Sequence, residues 1–398
     1  MASIQSFKRR TILRIVGFLS FLLLCSFVIW TYIPLERVAS SLGKNKHHPL
    51  VVNSWPPYEN PQQPLRQPHD NFNAAYVTFI KGDSASLAGL RMTMRQIEFS
   101  VNKEHHYPYI IFSNEELSDE FKHLANVMTP DDIDVAFYDK LDSEYYGYAN
   151  STDQKEAEAA RIRMNETLFG DSEDYRFSSR FMAGLMFRHP ALKDLDYIWR
   201  FEGGTEYICP VNFDPFAFMK NAGKKVSFSI ALYEYEETIP SLFSNIMKFA
   251  SENSDIVQST DNPKSLWDFV IDDNSQGFNK CHFWNNFQIA DLNFFRGELY
   301  QRYFDFIDNS NGIFYERWGD PVIQTLGMIL FLEKSDIQFW ENIGYRVADY
   351  FTHCPSNKML YKHCSCRPSQ NFDYDGYSCL RKFLSSGNEV FSLPQSPL

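Results

Sequence analysis

Positive charge is scarce in this 398-residue chain: 38 Lys and Arg stand against 50 Asp and Glu, for a formal net charge of −12. The scarcity is uneven, because residues 1–46 hold seven Lys/Arg against the single Glu36 and the remainder therefore carries −18. A body of that sign repels a phosphate backbone, which argues against nucleic acid as a partner. The bias that keeps chains disordered is missing too: 44% of residues are hydrophobic and 22% charged, enough apolar material for one large domain or two intimate ones. No internal repeat recurs, and no break in composition after residue 74 marks a second domain. Cysteine is sparse at 7 residues, and the spacing of His363, Cys364 and Cys366 does not match a zinc module.

Aromatics, by contrast, reach 16%, with 36 Phe and 22 Tyr. Most such rings fill a core; a few could stack on sugar faces. Ile15 to Ile33 is a run of nineteen residues without charge, long enough at ~1.5 Å of rise per residue to cross the hydrocarbon of a bilayer. Lys8, Arg9, Arg10 and Arg14 precede it and Trp30 and Tyr32 close it, which predicts a cytoplasmic amino terminus. A cleaved signal peptide is the competing reading. The run is longer than an ordinary signal core, and Trp30, Tyr32 and Pro34 stand where a small-residue cleavage site belongs, so the sequence predicts a retained anchor. Residues 1–14 then form a cytoplasmic tail, 15–33 the span, 34–73 a Pro-rich extended stem, and 74–398 a luminal body.

Cys25 falls in the span. The other six cysteines (Cys209, Cys281, Cys354, Cys364, Cys366 and Cys379) are luminal on this topology and predict up to three disulfides, with fifteen pairings open. Asn150-Ser151-Thr152 and Asn165-Glu166-Thr167 are glycosylation acceptors in such a compartment.

Within the body, Tyr76 to Ile80 reads as a strand. A turn at Lys81-Gly82-Asp83 follows, and then an amphipathic helix through Leu87, Leu90, Met94, Ile97 and Val101. Tyr109 to Phe112 and Val135 to Tyr138 continue the alternation, so the fold is expected to open as a nucleotide-binding α/β unit with ligands at the carboxyl ends of its strands. Tyr197 to Phe201 and Val226 to Ile230 read as further strands, and Pro240 to Glu252 as helix. Glu202 follows an apolar strand and precedes two glycines, a place where a carboxylate could hold a divalent cation against a diphosphate. A solvated turn glutamate is the plain alternative, and Asp272-Asp273 reads as a solvated acidic loop. Cys281 to Arg296 gathers amides and rings that suit hydroxyl recognition or ordinary packing. Phe314 to Pro321 sets Glu316, Arg317 and Asp320 beside rings, with Asp320 held extended before Pro321.

Taken in order, Tyr175-Arg176, Arg180-Phe181, Phe187-Arg188-His189-Pro190, Tyr197 to Glu202, Tyr233-Glu234-Tyr235, Cys281-His282-Phe283-Trp284, Asp291 to Gly297, Phe314 to Asp320 and His353-Cys354-Pro355 resemble the motifs of fungal Golgi α-1,2-mannosyltransferases. The resemblance runs from about Ala75 to Cys379. It implies a nucleotide-diphospho-sugar transferase fold of the first type, Rossmann-like, on a type II anchor in the Golgi or ER membrane. It also implies Mn²⁺, GDP-mannose as donor, mannosylated glycoproteins with O-linked or N-linked chains as acceptors, retention of the α configuration, and other Golgi mannosyltransferases as further partners. By the same resemblance Glu202 is the metal ligand and Tyr175 lines the sugar site; Arg180, Trp284 and Tyr235 are further candidates to bind substrate, and Gln288 and Asp320 are the candidate catalytic residues.

Three positions depart from the family pattern. Gly203 replaces a proline and is expected to loosen the turn. Gln288 replaces a glutamate proposed as nucleophile or electrostatic support. No histidine lies between Ile343-Gly344-Tyr345 and His353, where the family has a metal contact. An amide cannot form a glycosyl ester as a carboxylate does, so Gln288 disfavours double displacement and leaves front-face transfer. The alternative is a catalytically impaired paralogue that binds glycans or assembles Golgi mannosyltransferases.

Overall fold

In the computed structural model, which describes residues 55–272, 274–275 and 277–386, the strand expected near Tyr76 forms as β1, Ala74–Phe79. It begins early because Ala74 and Ala75, fully buried, pair with Tyr197 and Ile198. Asp83 then caps α1, Ser84–Ser100, its carboxylate accepting from the amides of Ala85 and Ser86. Leu90, Met94 and Ile97 form the buried stripe of α1. β2 (Tyr109–Phe112), α2 (Asp119–Asn126) and β3 (Val135–Tyr138) follow, and β1, β2 and β3 are parallel neighbours.

The chain continues through α3 (Glu173–Ala183), β4 (Tyr197–Phe201), β5 (Glu206–Tyr207), β6 (Val226–Phe228), β7 (Ala231–Tyr233) and α4 (Leu242–Glu252). Then come β8 (Cys281–Phe283), β9 (Phe287–Asp291), α5 (Asp320–Phe331), β10 (Ile337–Phe339), β11 (Tyr345–Val347) and β12 (Phe351–His353). The central sheet runs β10-β6-β9-β4-β1-β2-β3, with β9 antiparallel to both β4 and β6. Two small sheets, β12-β11-β5 and β7-β8, flank it.

Alternate side chains of the strands enter different cores, as the two-residue period requires. Val77, Ile110 and Ile198 pack with Phe181 and Met182 of α3 and Val322 and Ile323 of α5. Tyr76, Tyr109 and Trp199 pack with Leu90 and Met94 of α1.

Some expectations shift. β6 ends at Phe228 instead of Ile230, because the chain turns there to pair β7 with β8. α4 begins at Leu242, after Pro240 and Ser241. Residues 57–73, read as stem, lie along the body. Asn60 closes the open edge of β3, its amide donating to Phe137 O at 2.7 Å while its carbonyl accepts from Phe137 N at 2.9 Å. Tyr58 donates to Val135 O at 2.8 Å, and Leu65 and Phe72 are buried.

The six cysteines pair as Cys209–Cys364, Cys281–Cys379 and Cys354–Cys366. The expected span at 15–33, Cys25 and Asp273 lie outside the described residues, among which no helix is long and apolar enough to cross a membrane.

Candidate active site

The carboxyl ends of β1 and β4 open on a cleft of about 580 Å³. Phe79, Ile80 and Lys81 reach it from β1; Arg200, Phe201, Glu202 and Gly203 reach it from β4. The glycines after Glu202 have a steric reason. A Cβ at Gly203 would stand 3.1 Å from Leu90 N, and Gly204 takes φ +95°, so the bare turn packs tightly on α1 rather than loosening. Glu202 is exposed to the cleft. Although it opens on the cleft, the surrounding walls strip hydration from its carboxyl and raise it above the usual range; the Arg200 guanidinium opposes the rise and the Asp320 carboxylate adds to it.

Asp320 is not extended before Pro321. It is the first residue of α5, with Gly319 the extended cap and Pro321 in the first turn, where a proline costs no hydrogen bond. Its Oδ2 accepts from Arg200 Nη1 at 2.5 Å and from Asn285 Nδ2 at 2.9 Å. Tyr175, on the first turn of α3, stacks on Phe169 at 5.0 Å and accepts from Arg317 Nη1 at 2.8 Å. Arg317 in turn donates to Glu234 Oε1 at 3.1 Å. Burial pushes the Tyr175 phenol up to about 12, with Arg317 opposing and Asp320 and Glu234 adding, so it is a neutral donor at physiological pH. Trp284 closes one wall, its ring edge-on to Phe351.

Beside Trp284, Asn286 lines the cleft at 3% exposure, and neither end of its amide has a hydrogen-bond partner. A buried amide in that state, lining a cleft, has bonding capacity that a polar ligand could take up.

The structure does not bring every expected residue here. Arg180, expected to bind substrate, is held by Asp308 through two bonds of 2.7 and 2.8 Å and also donates to Gly147 O, away from the cleft. Tyr235 is 44% exposed and neighbours Tyr377, also off the cleft wall. Gln288 is 2% exposed and does not line the cleft; it pairs across the strands with Arg200, and its amide donates to Gln324 Oε1 at 3.1 Å. Asn150 and Asn165 are both exposed, as glycosylation requires. Sequence reading missed a role for Arg200, whose counter-ion lies 120 positions away, and for Lys81, which pairs with Asp174 at 2.6 Å at the cleft. Arg200 lies inside the Tyr197 to Glu202 motif and Lys81 at the turn after a strand, but neither position alone names a partner.

For a metal, among the described residues Glu202 is the one lining carboxylate of the cleft that opens on it without an ion-pair partner, Asp320 and Asp174 being paired with Arg200 and Lys81. Val347, not a histidine, lines the cleft from the stretch 343–352. His353 is buried, with Asp373 Oδ2 at 2.8 Å and Glu341 O at 3.2 Å. Among the described residues the clustered donors that could form a cage are Cys209, Cys364 and Cys366, all in disulfides. The cleft therefore fits a hard cation held by one carboxylate, a diphosphate and water, and not a cage built wholly of protein.

A strand-end cleft with one free carboxylate and aromatic walls is where a nucleotide-sugar could bind, and the comparisons with known proteins assign the chain to the glycosyltransferases. The chain matches the family model described as glycolipid 2-alpha-mannosyltransferase over residues 37–388, and it belongs to that family. It is 36% identical over 319 residues to glycolipid 2-alpha-mannosyltransferase 2 of Candida albicans, covering 79% of this chain and 67% of that protein. It is 31% identical over 372 residues to alpha-1,2 mannosyltransferase KTR1 of Saccharomyces cerevisiae, covering 92% of each. Its fold superposes with TM-score 0.72 and 27% identity on core-mannan synthase A of Aspergillus fumigatus in a Mn/GDP form, covering 84% of this chain and 93% of that one. Against the mannosyltransferase Ktr4p of S. cerevisiae in complex with GDP the TM-score is 0.74, again at 27% identity, with coverage of 84% and 88%.

Proposed function

We propose that this protein transfers mannose from GDP-mannose to a hydroxyl of a mannosylated glycan, forming an α-1,2 linkage with retention. The observation that carries the proposal is the conjunction, in one cleft, of free Glu202 and unsatisfied Asn286 in a chain of the mannosyltransferase family. The relatives named mannosyltransferases, and the solved structures with GDP or Mn/GDP, support the donor and the metal. The body is then a Rossmann-like nucleotide-diphospho-sugar transferase domain, held in a type II position in the Golgi or ER membrane with residues 15–33 as anchor. Its acceptors are O-linked or N-linked glycoprotein chains, and it associates with other Golgi mannosyltransferases. Nothing in the relatives favours a binding-only paralogue.

Mn²⁺, when bound, neutralises charge on the leaving diphosphate. Glu202 would hold it from the end of β4. Arg200 pairs with the Asp320 carboxylate and orients it at the cleft wall. Tyr175, protonated, donates to a sugar or phosphate oxygen, while Trp284 and Phe169 give apolar faces against which a hexose can lie. The Gln288 amide, buried behind the wall, cannot act as nucleophile, so the acceptor hydroxyl attacks on the face from which GDP departs. The new C1–O bond forms as the C1–O bond to phosphate breaks, and the hydroxyl proton passes to the leaving phosphate oxygen.

The test is mannose transfer from GDP-mannose to α-methyl mannoside by the full chain, with and without Mn²⁺, beside Glu202→Ala. Metal-dependent product that is lost in the variant is expected. A folded wild-type chain that makes no product on several mannosylated acceptors would sink the proposal.

A further inference from the structure

Gln324 is fully buried on α5, one turn beyond Asp320 and on the same helical face. Its Nε2 donates to the Met182 main-chain carbonyl at 2.8 Å. A carbonyl oxygen only accepts, so this bond fixes which end of the Gln324 amide is which. Its Oε1 then accepts twice, from Asn285 Nδ2 at 3.0 Å and from Gln288 Nε2 at 3.1 Å, which uses both lone pairs. Asn285 is fixed independently, because the same Nδ2 also donates to Asp320 Oδ2 at 2.9 Å.

Polarity therefore passes from a main-chain carbonyl, through Gln324, to two further amides. With both Nδ2 protons engaged, Asn285 has its carbonyl oxygen left to face the cleft that it lines, as an acceptor. Gln288, whose strand partner is Arg200, must likewise turn its nitrogen to Gln324.

We infer that Gln324 is a positioning residue that sets the hydrogen-bonding polarity of the cleft wall, and that the amide at Gln288 is required by it. The inference rests on the mannosyltransferase reading of the cleft. Asn285 thereby accepts from a hydroxyl of the bound sugar, and a carboxylate at 288 is disfavoured because it would set oxygen against the Gln324 Oε1 oxygen. Adding the family's glutamate to this chain lowers activity instead of restoring it.

The experiment uses the full chain and four proteins: wild type, Gln288→Glu, Gln324→Met and the double variant. In mannose transfer from GDP-mannose, Gln288→Glu and Gln324→Met are each expected to lower kcat about tenfold, the effect of one misdirected hydrogen bond in the transition state. The Kd for GDP in the presence of Mn²⁺ should stay within about twofold, since the wall contacts the sugar and not the nucleotide. A purely structural role would not separate kcat from GDP affinity.

Thermal unfolding gives a readout independent of catalysis. Gln288→Glu is expected to lower Tm by roughly 3–8 °C in the wild-type background. In the Gln324→Met background, where the repelling oxygen is gone, it should cost at most half as much. Equal Tm losses in the two backgrounds, or a Gln288→Glu chain as active as wild type, overturn the inference. A wild-type chain with no transferase activity but with the expected Tm coupling would instead overturn the functional reading and leave the polarity relay standing.

Discussion

Asn286 carries an unusual burden for a residue that holds no structure together. Its side chain is 3% exposed, and both amide atoms lack a partner in the protein. Leaving a buried amide unsatisfied costs about 1–3 kcal/mol. Replacing it by alanine removes that cost and leaves only the small space of one carboxamide, so Asn286→Ala is expected to gain about 1 kcal/mol in the free protein. For a domain of this size that is a rise in Tm of about 2 °C.

The same change should damage function. A sugar hydroxyl pair that meets the amide as both donor and acceptor loses two bonds, roughly 2–3 kcal/mol together, or a fall in kcat/KM of about 30- to 150-fold. The assay is paired: differential scanning fluorimetry of the free protein, and initial rates of mannose transfer at varied GDP-mannose. A stabilised but crippled enzyme is the signature of an amide kept for its ligand. A lower Tm with unchanged kcat/KM would refute the reasoning, since it would mean that the amide is satisfied in the free protein and idle in the complex.

Arg180→Ala should lower stability by about 3 kcal/mol, by stranding Asp308 at a nearly buried bidentate pair, while kcat/KM per folded molecule stays within about twofold; a large rise in KM would restore the substrate-binding role. Replacing both Cys281 and Cys379 by serine opens a link across 98 positions, for which chain entropy gives an upper figure of about 5 kcal/mol; denaturant unfolding should show a loss of about half that or more, and an unchanged midpoint would count against the pairing. At His353, burial works to lower the pKa, but the Asp373 carboxylate and the Glu341 carbonyl outweigh it and the net shift is upward. The stabilisation from that shift is therefore complete below the unfolded value of 6.5 and disappears as pH rises through the folded pKa. Urea unfolding of Asp373→Asn and wild type across pH 5–9 should show the largest gap at the acid end, and a gap that widens with pH would contradict the sign.

The legible parts of this molecule are those whose cause is local. β1, its Asp83-capped helix and β2 follow from apolar spacing and one capping side chain, and Glu202 was placed by a strand that ends at two glycines. Asn60 shows where that reading stops. A Pro-rich segment without periodicity reads as free stem, yet a single amide, 77 positions from Phe137, is enough to seal a sheet edge. The pairing of six cysteines is equally non-local, set by separations of 155, 98 and 12 residues that only the closed fold brings together.

Motif membership misleads in a different way. Arg180 and Tyr175 sit in the same helix and in adjoining motifs, but their side chains leave it in different directions, one to Asp308 and one to the cleft. A motif does not separate a side chain kept for packing from one kept for substrate; the geometry of partners does. The amides at 285, 288 and 324 make the point most sharply. Read singly, Gln288 is a lost carboxylate; read with Gln324, whose oxygen is already committed to accepting, it is the residue that the site's hydrogen-bond polarity demands.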